Sequence, residues 1–207
     1  MRILHILDHS LPLHSGYTFR TAAILREQHA LGWETFHLTT PKQGFSAQRV
    51  EEADGLRFYR TPAPEGTGLV AQMKLTARRI DALVSELKPD LIHAHSPVLN
   101  ALPAEWIGRK RRLPVVYEMR ASWEDAAVDH GTTTEGSVRY RVSRALESFA
   151  LHRADQITTI CEGLRGDIMA RGVPAAKITV IPNAVDAETF AFGAEADPEL
   201  RRELGLD

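Results

Sequence analysis

The sequence contains one cysteine, Cys161, among its 207 residues. A single thiol excludes an internal disulfide, and we therefore expect a reducing compartment, most simply the cytoplasm. Long apolar runs are also missing. The first apolar run, residues 2–7, ends at Asp8 and is too short for the core of a signal peptide or for a membrane span. The sequence therefore predicts a cytoplasmic protein whose first residues form a buried strand.

An excess of positive charge is missing as well. Lys and Arg number 25 and Asp and Glu number 27, which gives a formal net charge of −2. Proteins that bind nucleic acid usually carry a basic excess, so this class of function is disfavoured. Hydrophobic residues make up 43% of the chain and charged residues 25%, which is typical of a globular domain and excludes a disordered protein.

Apolar runs that predict strands alternate with segments of helical periodicity. Strands are predicted at residues 2–7, 33–40, 55–60, 90–95, 114–119, 155–160 and 178–181. Helices are predicted at residues 17–31, 73–87, 99–111, 138–149 and 162–171. The helix at residues 138–149 is marked as amphipathic by Val138, Val142, Ala145, Leu146 and Phe149. The alternation predicts an α/β fold with a doubly wound, Rossmann-like parallel sheet and helices on both faces. We expect one domain over residues 1–186, followed by a crossover with a short linker helix over residues 187–207.

In such a sheet, ligands bind beyond the carboxyl ends of the strands. The first loop at that edge is residues 8–16, which leads directly into a helix. Ser15 or Thr18 can cap this helix, and Gly16 would let a ligand approach the backbone. The loop therefore fits either a phosphate site or a plain helix cap.

Two histidines, His93 and His95, lie two residues apart at the end of a predicted strand. The pair suits half of a metal site, as in a metal-dependent hydrolase. A buried, hydrogen-bonded His93 beside a ligand-facing His95 is the alternative. The sequence has no HExxH motif and no cysteine pair to complete a metal site, and no Ser-His-Asp arrangement is indicated because Gly-x-Ser-x-Gly is missing.

Charged and aromatic residues crowd together after the strand at residues 114–119. Carboxylates such as Glu118 and Asp125 accept hydrogen bonds from hydroxyl groups, Arg120 can bind an anion, and Trp123 can stack on a sugar ring. The segment therefore suits a hydroxyl-rich ligand. A solvated network of ion pairs would explain the same composition.

Five blocks of the chain together carry a family resemblance. They are residues 1–4 with Ser15 and Gly16, residues 89–96, residues 114–120, residues 154–164, and residues 173–186 followed by Phe190. In this order and spacing the sequence resembles the N-terminal half of a retaining glycosyltransferase of family 4, which has the two-domain GT-B fold. Residues 117–137 are similar to the subgroup associated with bacterial exopolysaccharide and exosortase systems.

The resemblance implies a hexosyltransferase-type enzyme that transfers a sugar from a nucleotide-sugar donor to a glycan or lipid-linked acceptor without a metal or other cofactor. Ser15 and Gly16 would lie near the donor diphosphate. The implied acceptor site comprises His95, Ser96, Asn100, Glu118, Arg120, Trp123 and Asp125. A lipid-linked acceptor would imply peripheral contact with the cytoplasmic membrane, for which Arg109–Arg112 give a basic run.

Two features depart from the family pattern. Ser15-Gly16 stands where two glycines are common, and Arg120 stands where many members have an active-site histidine. A guanidinium cannot act as a base, so Arg120 is expected to orient a phosphate or the acceptor. The paired-glutamate motif of the C-terminal domain is missing from the sequence. We therefore expect the chain to need that domain as a partner and to be inactive alone, or else to be a stand-alone carbohydrate- or partner-binding module.

Overall fold

The computed structural model describes residues 1–44, 48–185 and 198–205. Its strands are β1 Arg2–Leu7, β2 Glu34–Thr39, β3 Val50–Ala53, β4 Leu56–Tyr59, β5 Leu91–His95, β6 Val115–Met119, β7 Gln156–Thr159 and β8 Ile178–Val180. Its helices are α1 Gly16–Ala30, α2 Leu69–Leu87, α3 Val98–Arg111, α4 Trp123–Asp129, α5 Val138–Arg153, α6 Glu162–Ala170 and α7 Pro198–Glu203.

The strands form one sheet in the order β3-β4-β2-β1-β5-β6-β7-β8. Every pair is parallel except β3 with β4, which is antiparallel. The chain winds outward from β1 to β2 in one direction and from β5 to β8 in the other. Right-handed crossovers therefore place α1 on one face and α2, α3, α5 and α6 on the opposite face. The prediction of a doubly wound α/β fold is confirmed.

The main apolar core lies between one face of the sheet and the helices α2, α3 and α5 that cover it. Helix α2 contributes Ala77, Ile80 and Leu83 at helical spacing, and these residues pack near Ile92 of β5. This helix ends where Lys88 adopts a left-handed conformation, one residue before a proline.

Two elements were missed by the sequence reasoning. Strand β3 lies in a segment for which no strand was predicted; it is an edge strand without a fully buried residue, so its sequence carries no apolar run. Helix α4 lies in the charged and aromatic segment after β6, for which no helix was predicted. The predicted linker helix matches α7 in part, while the predicted domain boundary and Phe190 lie outside the described residues.

The sheet face beneath α1 combines a small apolar cluster, to which Leu7 and Phe58 belong, with a row of polar side chains. In the parallel register His5 of β1 lies opposite both His37 of β2 and His93 of β5, and His95 lies opposite Glu118 of β6. Helix α1 meets this face with the polar Gln28 as well as with Ala22 and Leu25, which explains why its sequence has no continuous apolar stripe. The polar layer leads directly to the carboxyl edge of the sheet.

Helix α5 is oriented contrary to the usual pattern of a surface helix, which buries its apolar stripe. Val138, Val142, Leu146 and Phe149 are exposed, whereas Glu147 is buried. The carboxylate of Glu147 accepts a hydrogen bond of 2.6 Å from the buried hydroxyl of Tyr117. The amphipathic pattern of residues 138–149 therefore predicted the helix correctly but does not mark its contact with the core.

Candidate functional site

The carboxyl ends of β1, β5 and β6 bring together a buried cluster of charged side chains with Glu118 at its centre. Arg20 of α1 donates from Nε to Glu118 Oε1 at 2.9 Å. Arg120 donates from Nη2 to Glu118 Oε2 at 2.9 Å, and His95 Nδ1 lies 2.7 Å from the same oxygen. Burial alone would raise the pKa of Glu118, but His95 and Arg120 hold it well below its ordinary value. Glu118 is therefore a carboxylate bridged between two guanidinium groups.

A chain of imidazoles extends from Glu118 along the underside of α1. His95 Nε2 lies 2.9 Å from His5 Nδ1, and His5 Nε2 lies 2.9 Å from Gln28 Oε1. Burial lowers the pKa of His95 to about 3, even though Glu118 would raise it, and lowers that of His5 well below 6.5. Both rings are therefore neutral at physiological pH, so each has one proton to donate and one nitrogen that accepts.

His95 Nδ1 is also within 2.5 Å of Arg120 Nη2. A protonated Nδ1 donates to Glu118, and an unprotonated Nδ1 accepts from Arg120, so the two contacts compete for one ring nitrogen. The carboxylate oxygen at 2.7 Å requires a proton on Nδ1, so His95 donates to Glu118 and its Nε2 accepts from His5 Nδ1. The Gln28 side-chain amide then meets His5 Nε2, and rotation of the amide by 180° turns its N–H group toward that nitrogen.

Arg120 connects β6 to α1. Its Nη1 donates to the Tyr17 carbonyl and to Thr21 Oγ1, both at 3.1 Å, and its guanidinium lies 4.3 Å from the centre of the Tyr17 ring. Both terminal nitrogens therefore have protein partners. In this arrangement Arg120 positions Glu118 and His95, and any contact of Arg120 with a substrate stays a prediction.

The loop before α1 contains a hydrogen-bonded line of three residues that the sequence reasoning did not find. His9 Nδ1 lies 3.2 Å from Asp8 Oδ2, and His9 Nε2 lies 2.8 Å from Ser15 Oγ. Ser15 is also the N-cap, because its Oγ accepts a hydrogen bond from the Thr18 backbone N–H at 3.1 Å. A Cβ on Gly16 would meet no atom within 4 Å, so space is open beside the start of the helix.

The structure distributes the predicted acceptor residues over two networks. His95, Ser96 and Asn100 are buried: Ser96 Oγ accepts from the Arg120 backbone N–H at 3.3 Å, and Asn100 donates to the His95 carbonyl at 2.8 Å. The expectation of a ligand-facing His95 beside a hydrogen-bonded His93 is reversed, since His95 is fully buried and Nε2 of His93 has no hydrogen-bond partner.

The second network lies on α4. Asp125 accepts from Ser122 at 2.5 Å and from Tyr140 at 2.7 Å, while the Trp123 side chain is 44% exposed. Of the predicted acceptor set, Trp123 and Asp125 are therefore the exposed members. The residues of these hydrogen-bonded networks that were not predicted from the sequence are His5, His9, Tyr17, Arg20 and Gln28. The sequence did contain a signal for them. A polar residue interrupts the otherwise apolar strand β1, and helix α1 has no apolar stripe.

Three histidines offer nitrogen atoms that could hold a metal ion. The ligand atoms of His5, His93 and His95 lie within 4.8 Å of one another, and burial lowers the pKa of each, which favours the neutral form that binds metals. The nearby guanidinium groups of Arg20 and Arg120 oppose this, because they repel a cation and already neutralise Glu118. The cluster therefore has suitable ligands in an environment that disfavours a divalent ion.

Comparison with protein families decides the assignment. The glycosyl transferase 4-like domain matches residues 15–184, from the cap of α1 to the segment after β8. The chain belongs to this family. The polar edge around Glu118 and the loop before α1 thus form the carboxyl edge of a glycosyl transferase 4-like domain. Comparison with curated proteins gives no match.

Solved structures share the fold at low sequence identity. Sucrose-phosphate synthase from Thermosynechococcus elongatus is 18% identical with a TM-score of 0.70, over 100% of this chain and 53% of that one. The UDP-N-acetylglucosamine 2-epimerase from Rickettsia bellii is 14% identical with a TM-score of 0.65, over 100% and 52%. The UDP-GlcNAc 2-epimerase from Methanocaldococcus jannaschii, in complex with UDP-GlcNAc and UDP, is 16% identical with a TM-score of 0.64, over 99% and 53%.

These likenesses show that the glycosyl transferase 4-like domain has the architecture of one Rossmann-like half of a GT-B protein. The chain spans about half the length of the structures it matches. Among the helices that the structure describes, none combines the length and apolarity required to cross a bilayer.

Proposed function

We propose that this domain is the acceptor-side half of a retaining glycosyltransferase that uses a nucleotide-sugar donor. The family match, which begins at Ser15 on the cap of α1, is the observation that carries the proposal. Two structural neighbours, an epimerase bound to UDP-GlcNAc and one in complex with UDP-GlcNAc and UDP, agree with a nucleotide sugar as ligand of this architecture. A C-terminal donor-binding domain, which this sequence does not contain, is expected to complete the enzyme.

The donor diphosphate is assigned to the start of α1. The first backbone N–H groups of a helix lack partners within the helix, and the helix dipole favours a negative charge there. Gly16 leaves space open for a close approach, and Ser15 and His9 supply side-chain hydrogen bonds at the same point. In this assignment the helix end and basic side chains stabilise the leaving diphosphate, so no metal ion or other cofactor is required.

The acceptor is assigned to the side of the edge formed by β5, β6 and α4. Trp123 offers an exposed ring on which a sugar can stack, and Asp125 offers carboxylate oxygens. Glu118, Arg120 and His95 form a buried cluster at the ends of β5 and β6, where Arg120 and His95 both contact Glu118. The narrow cleft lined by Asp8, Thr40 and Asn100 has a volume of about 20 Å³, which admits a water molecule and not a sugar.

The biological setting is part of the same proposal. The exopolysaccharide and exosortase-associated resemblance favours a glycan or lipid-linked acceptor in bacterial polysaccharide synthesis in the cytoplasm. The chain by itself is expected to transfer no sugar, because the donor-selecting residues would lie in the second domain.

The direct test is a panel of nucleotide sugars incubated with the enzyme that contains this domain, with acceptor-dependent release of nucleoside diphosphate as the signal. We expect release with one donor class and a product of unchanged anomeric configuration by NMR. An inverted product would contradict the retaining mechanism. Interconversion of the donor without an acceptor would assign an epimerase instead. Transfer by the 207-residue chain alone would refute the half-enzyme assignment, and sugar binding without any transfer by the complete protein would indicate a binding module.

A further inference from the structure

A cavity of about 340 Å³ lies at the amino edge of the sheet, opposite the edge that carries Glu118. Its walls come from the end of α3, the segment that leads into β6, and the residues between α5 and β7. Sites for small ligands usually have volumes of about 300 to 1,000 Å³. The cavity therefore has room for a small metabolite, away from the edge to which the donor and the acceptor are assigned.

The wall of this cavity depends on a close approach of α3 to β6 at Gly108. A Cβ at Gly108 would lie 2.4 Å from Val115 Cγ2 and 3.0 Å from the Leu113 carbonyl oxygen, so a larger residue would push α3 away from the strand. Helix α3 then ends at Arg112, whose φ of 57° lies in the left-handed region that favours glycine. The position nevertheless carries an arginine, which lines the cavity.

The buried side of the cavity contains a carboxyl group without a hydrogen bond. Glu105 is 2% exposed, and neither of its side-chain oxygens has a hydrogen-bond partner among the residues that the structure describes. Its printed contact is an ion pair with Arg153, whose Nε lies 3.4 Å from Oε2. Buried polar groups are nearly always hydrogen-bonded, so an unpartnered carboxyl group on a cavity wall points to a ligand that supplies hydrogen-bond donors.

Guanidinium groups lie on the exposed side of the same cavity. Arg109 and Arg112 line it, and neither forms a salt bridge within the described part of the chain. The neighbouring Lys110 and Arg111 differ, because both pair with Asp81, which lies outside the cavity. Two guanidinium groups are therefore available for an anion, and their planar sets of N–H donors match the oxygens of a phosphate.

The carboxyl groups of the cavity offset only part of this positive charge. One oxygen of Asp155 accepts a hydrogen bond of 2.7 Å from a backbone N–H. Burial raises the pKa of Glu105 to about 8, although Arg153 and Arg109 lower it, so this carboxyl group is mainly protonated at neutral pH. The three arginine side chains of the cavity then outnumber the Asp155 carboxylate by two charges, which is close to the charge of a phosphate monoester.

We propose that this cavity binds a phosphorylated polyol, the chemical class of the sugar phosphates. The phosphate pairs with Arg109 and Arg112 on the exposed side, and hydroxyl groups of the polyol donate to Glu105 on the buried side. A protonated Glu105 keeps its carbonyl oxygen as an acceptor and donates its own proton to a hydroxyl oxygen of the ligand. The site goes beyond the proposed function, because it lies at the other edge of the sheet and requires no second domain.

Other classes of ligand leave part of the cavity without partners. A divalent cation would suit the carboxyl groups, but Arg153 lies 3.4 Å from Glu105 and would repel it. Inorganic phosphate would pair with the arginines and give Glu105 a single short partner at most. A neutral sugar would supply hydroxyl groups and leave Arg109 and Arg112 without an anion. A molecule that carries both a phosphate and hydroxyl groups satisfies both sides of the cavity.

The test is a titration of the 207-residue protein with mannose 6-phosphate, monitored by the backbone amide signals in NMR spectra. Mannose and inorganic phosphate are titrated in parallel. We expect the amide signals of Gly108 and Asp155 to shift with saturation. Mannose 6-phosphate should bind about tenfold or more tightly than either mannose or phosphate, because each of these lacks one set of hydrogen bonds.

Two double variants of equal charge test the arginines. Arg109→Gln with Arg112→Gln should weaken the binding of mannose 6-phosphate by about tenfold or more, because charge-assisted hydrogen bonds to the phosphate are lost. Lys110→Gln with Arg111→Gln is the matched control. It removes the same charge from the same run of residues, but from side chains that pair with Asp81, and should leave the affinity largely unchanged.

Glu105→Met separates ligand binding from stability. Methionine removes a buried polar group that has no hydrogen bond, so the melting temperature should stay the same or rise while the affinity for mannose 6-phosphate falls by about tenfold. A carboxyl group that served only the fold, through its ion pair with Arg153, would give the opposite result: a lower melting temperature and unchanged binding.

Three results would overturn the inference. The first is the absence of saturable shifts at residues 108–115 and 153–155. The second is a set of shifts confined to residues 15–18, which would place the sugar phosphate at the start of α1. The third is equal affinity for inorganic phosphate and mannose 6-phosphate, which would show an anion site without a polyol. Each of them leaves the proposed function standing, and a failure of sugar transfer leaves this site standing.

Discussion

Arg20 of α1 joins Glu118 of β6 to the chain that follows β8. Its Nε donates to Glu118 Oε1 at 2.9 Å, its Nη2 donates to the Ile181 carbonyl at 2.8 Å, and its Nη1 donates to the Pro182 carbonyl and to Asn183 Oδ1 at 3.1 and 2.9 Å. One guanidinium thus fixes three segments that are far apart in sequence. In the proposed enzyme the segment after β8 leads toward the second domain, so the buried edge and the crossover are held by the same side chain.

Replacement of Arg20 should destabilise the fold. Arg20→Gln leaves Glu118 with Arg120 and His95 as partners but removes a charge-assisted hydrogen bond that is largely shielded from solvent. We expect the free energy of unfolding to fall by about 2 kcal/mol at neutral pH, measured by urea denaturation.

The control is Arg165→Gln, because Arg165 pairs with Glu162 on the surface of α6. Exposed ion pairs contribute little, so this variant should change the free energy of unfolding by less than about 0.5 kcal/mol. Equal losses for the Arg20 and Arg165 variants would contradict the central role assigned to the Arg20–Glu118 pair.

The buried histidines predict how stability depends on pH. Burial lowers the pKa of His37 to about 4 and that of His93 to about 3, so these rings stay neutral in the folded state while the unfolded chain takes up protons below pH 6.5. The unfolded state then binds more protons, and stability increases as pH rises from about 4 to 6.5, by up to about 1.4 kcal/mol per pH unit for one such group.

His37→Gln tests this at a site away from Glu118. The free energy of unfolding, measured by denaturation between pH 4 and 6.5, should depend less steeply on pH in this variant than in the unmodified protein. His130→Gln replaces an exposed histidine and should leave the slope unchanged. A slope that His37→Gln does not alter would show that other groups control acid unfolding.

The buried carboxyl group of Glu147 predicts the opposite dependence of stability on pH. Burial raises the pKa of Glu147 to about 7, so the folded state retains a proton that the unfolded chain has lost above pH 4.5. This contribution makes stability decrease as pH rises through that window. Glu147→Gln should therefore remove a loss of stability between about pH 4.5 and 7, measured by thermal unfolding of both proteins across that range. The same pH dependence in both proteins would contradict the assignment.

The histidine trio predicts a result for metal binding. Because Arg20 and Arg120 lie beside Glu118 and repel cations, the purified protein should contain less than stoichiometric zinc by elemental analysis, and a chelator should not change its melting temperature. His93→Ala serves as the control, since it removes the one imidazole of the trio whose Nε2 has no hydrogen-bond partner. One tightly bound zinc ion that is lost in His93→Ala would instead favour the metal-dependent hydrolase.

The fold was predictable because its signals are local. Apolar runs such as residues 2–7 and the helical spacing of Ile80 and Leu83 in α2 define the elements, and their alternation restricts the topology. Strand β3 was not predicted, because an edge strand exposes half of its residues. The polar residues that follow each strand also indicated the edge at which the Glu118 cluster lies.

The partners within the site were not predictable, because they depend on register between distant segments. Nothing local in the sequence pairs His5 with His95, or Arg20 with Glu118, across about 90 residues or more. The apolar positions of α5 suggested the wrong buried side of that helix for the same reason. Their period predicts a helix, but only the contact of Glu147 with Tyr117 shows which side of the helix faces the sheet.

The central claim, that the donor diphosphate binds at the start of α1, is tested most directly at Gly16. A side chain at Gly16 meets no atom within 4 Å, and the same holds for Gly68 at the cap of α2. Both Gly16→Val and Gly68→Val should therefore preserve the fold. Only the side chain introduced by Gly16→Val would occupy the space assigned to the diphosphate.

The decisive measurement is kcat/KM for the nucleotide-sugar donor in the enzyme that contains this domain, for both variants. The account predicts a loss of about 100-fold or more for Gly16→Val, since displacement of a reacting group by an ångström has an effect of that size, and little change for Gly68→Val. Undiminished donor use by a folded Gly16→Val enzyme would contradict it.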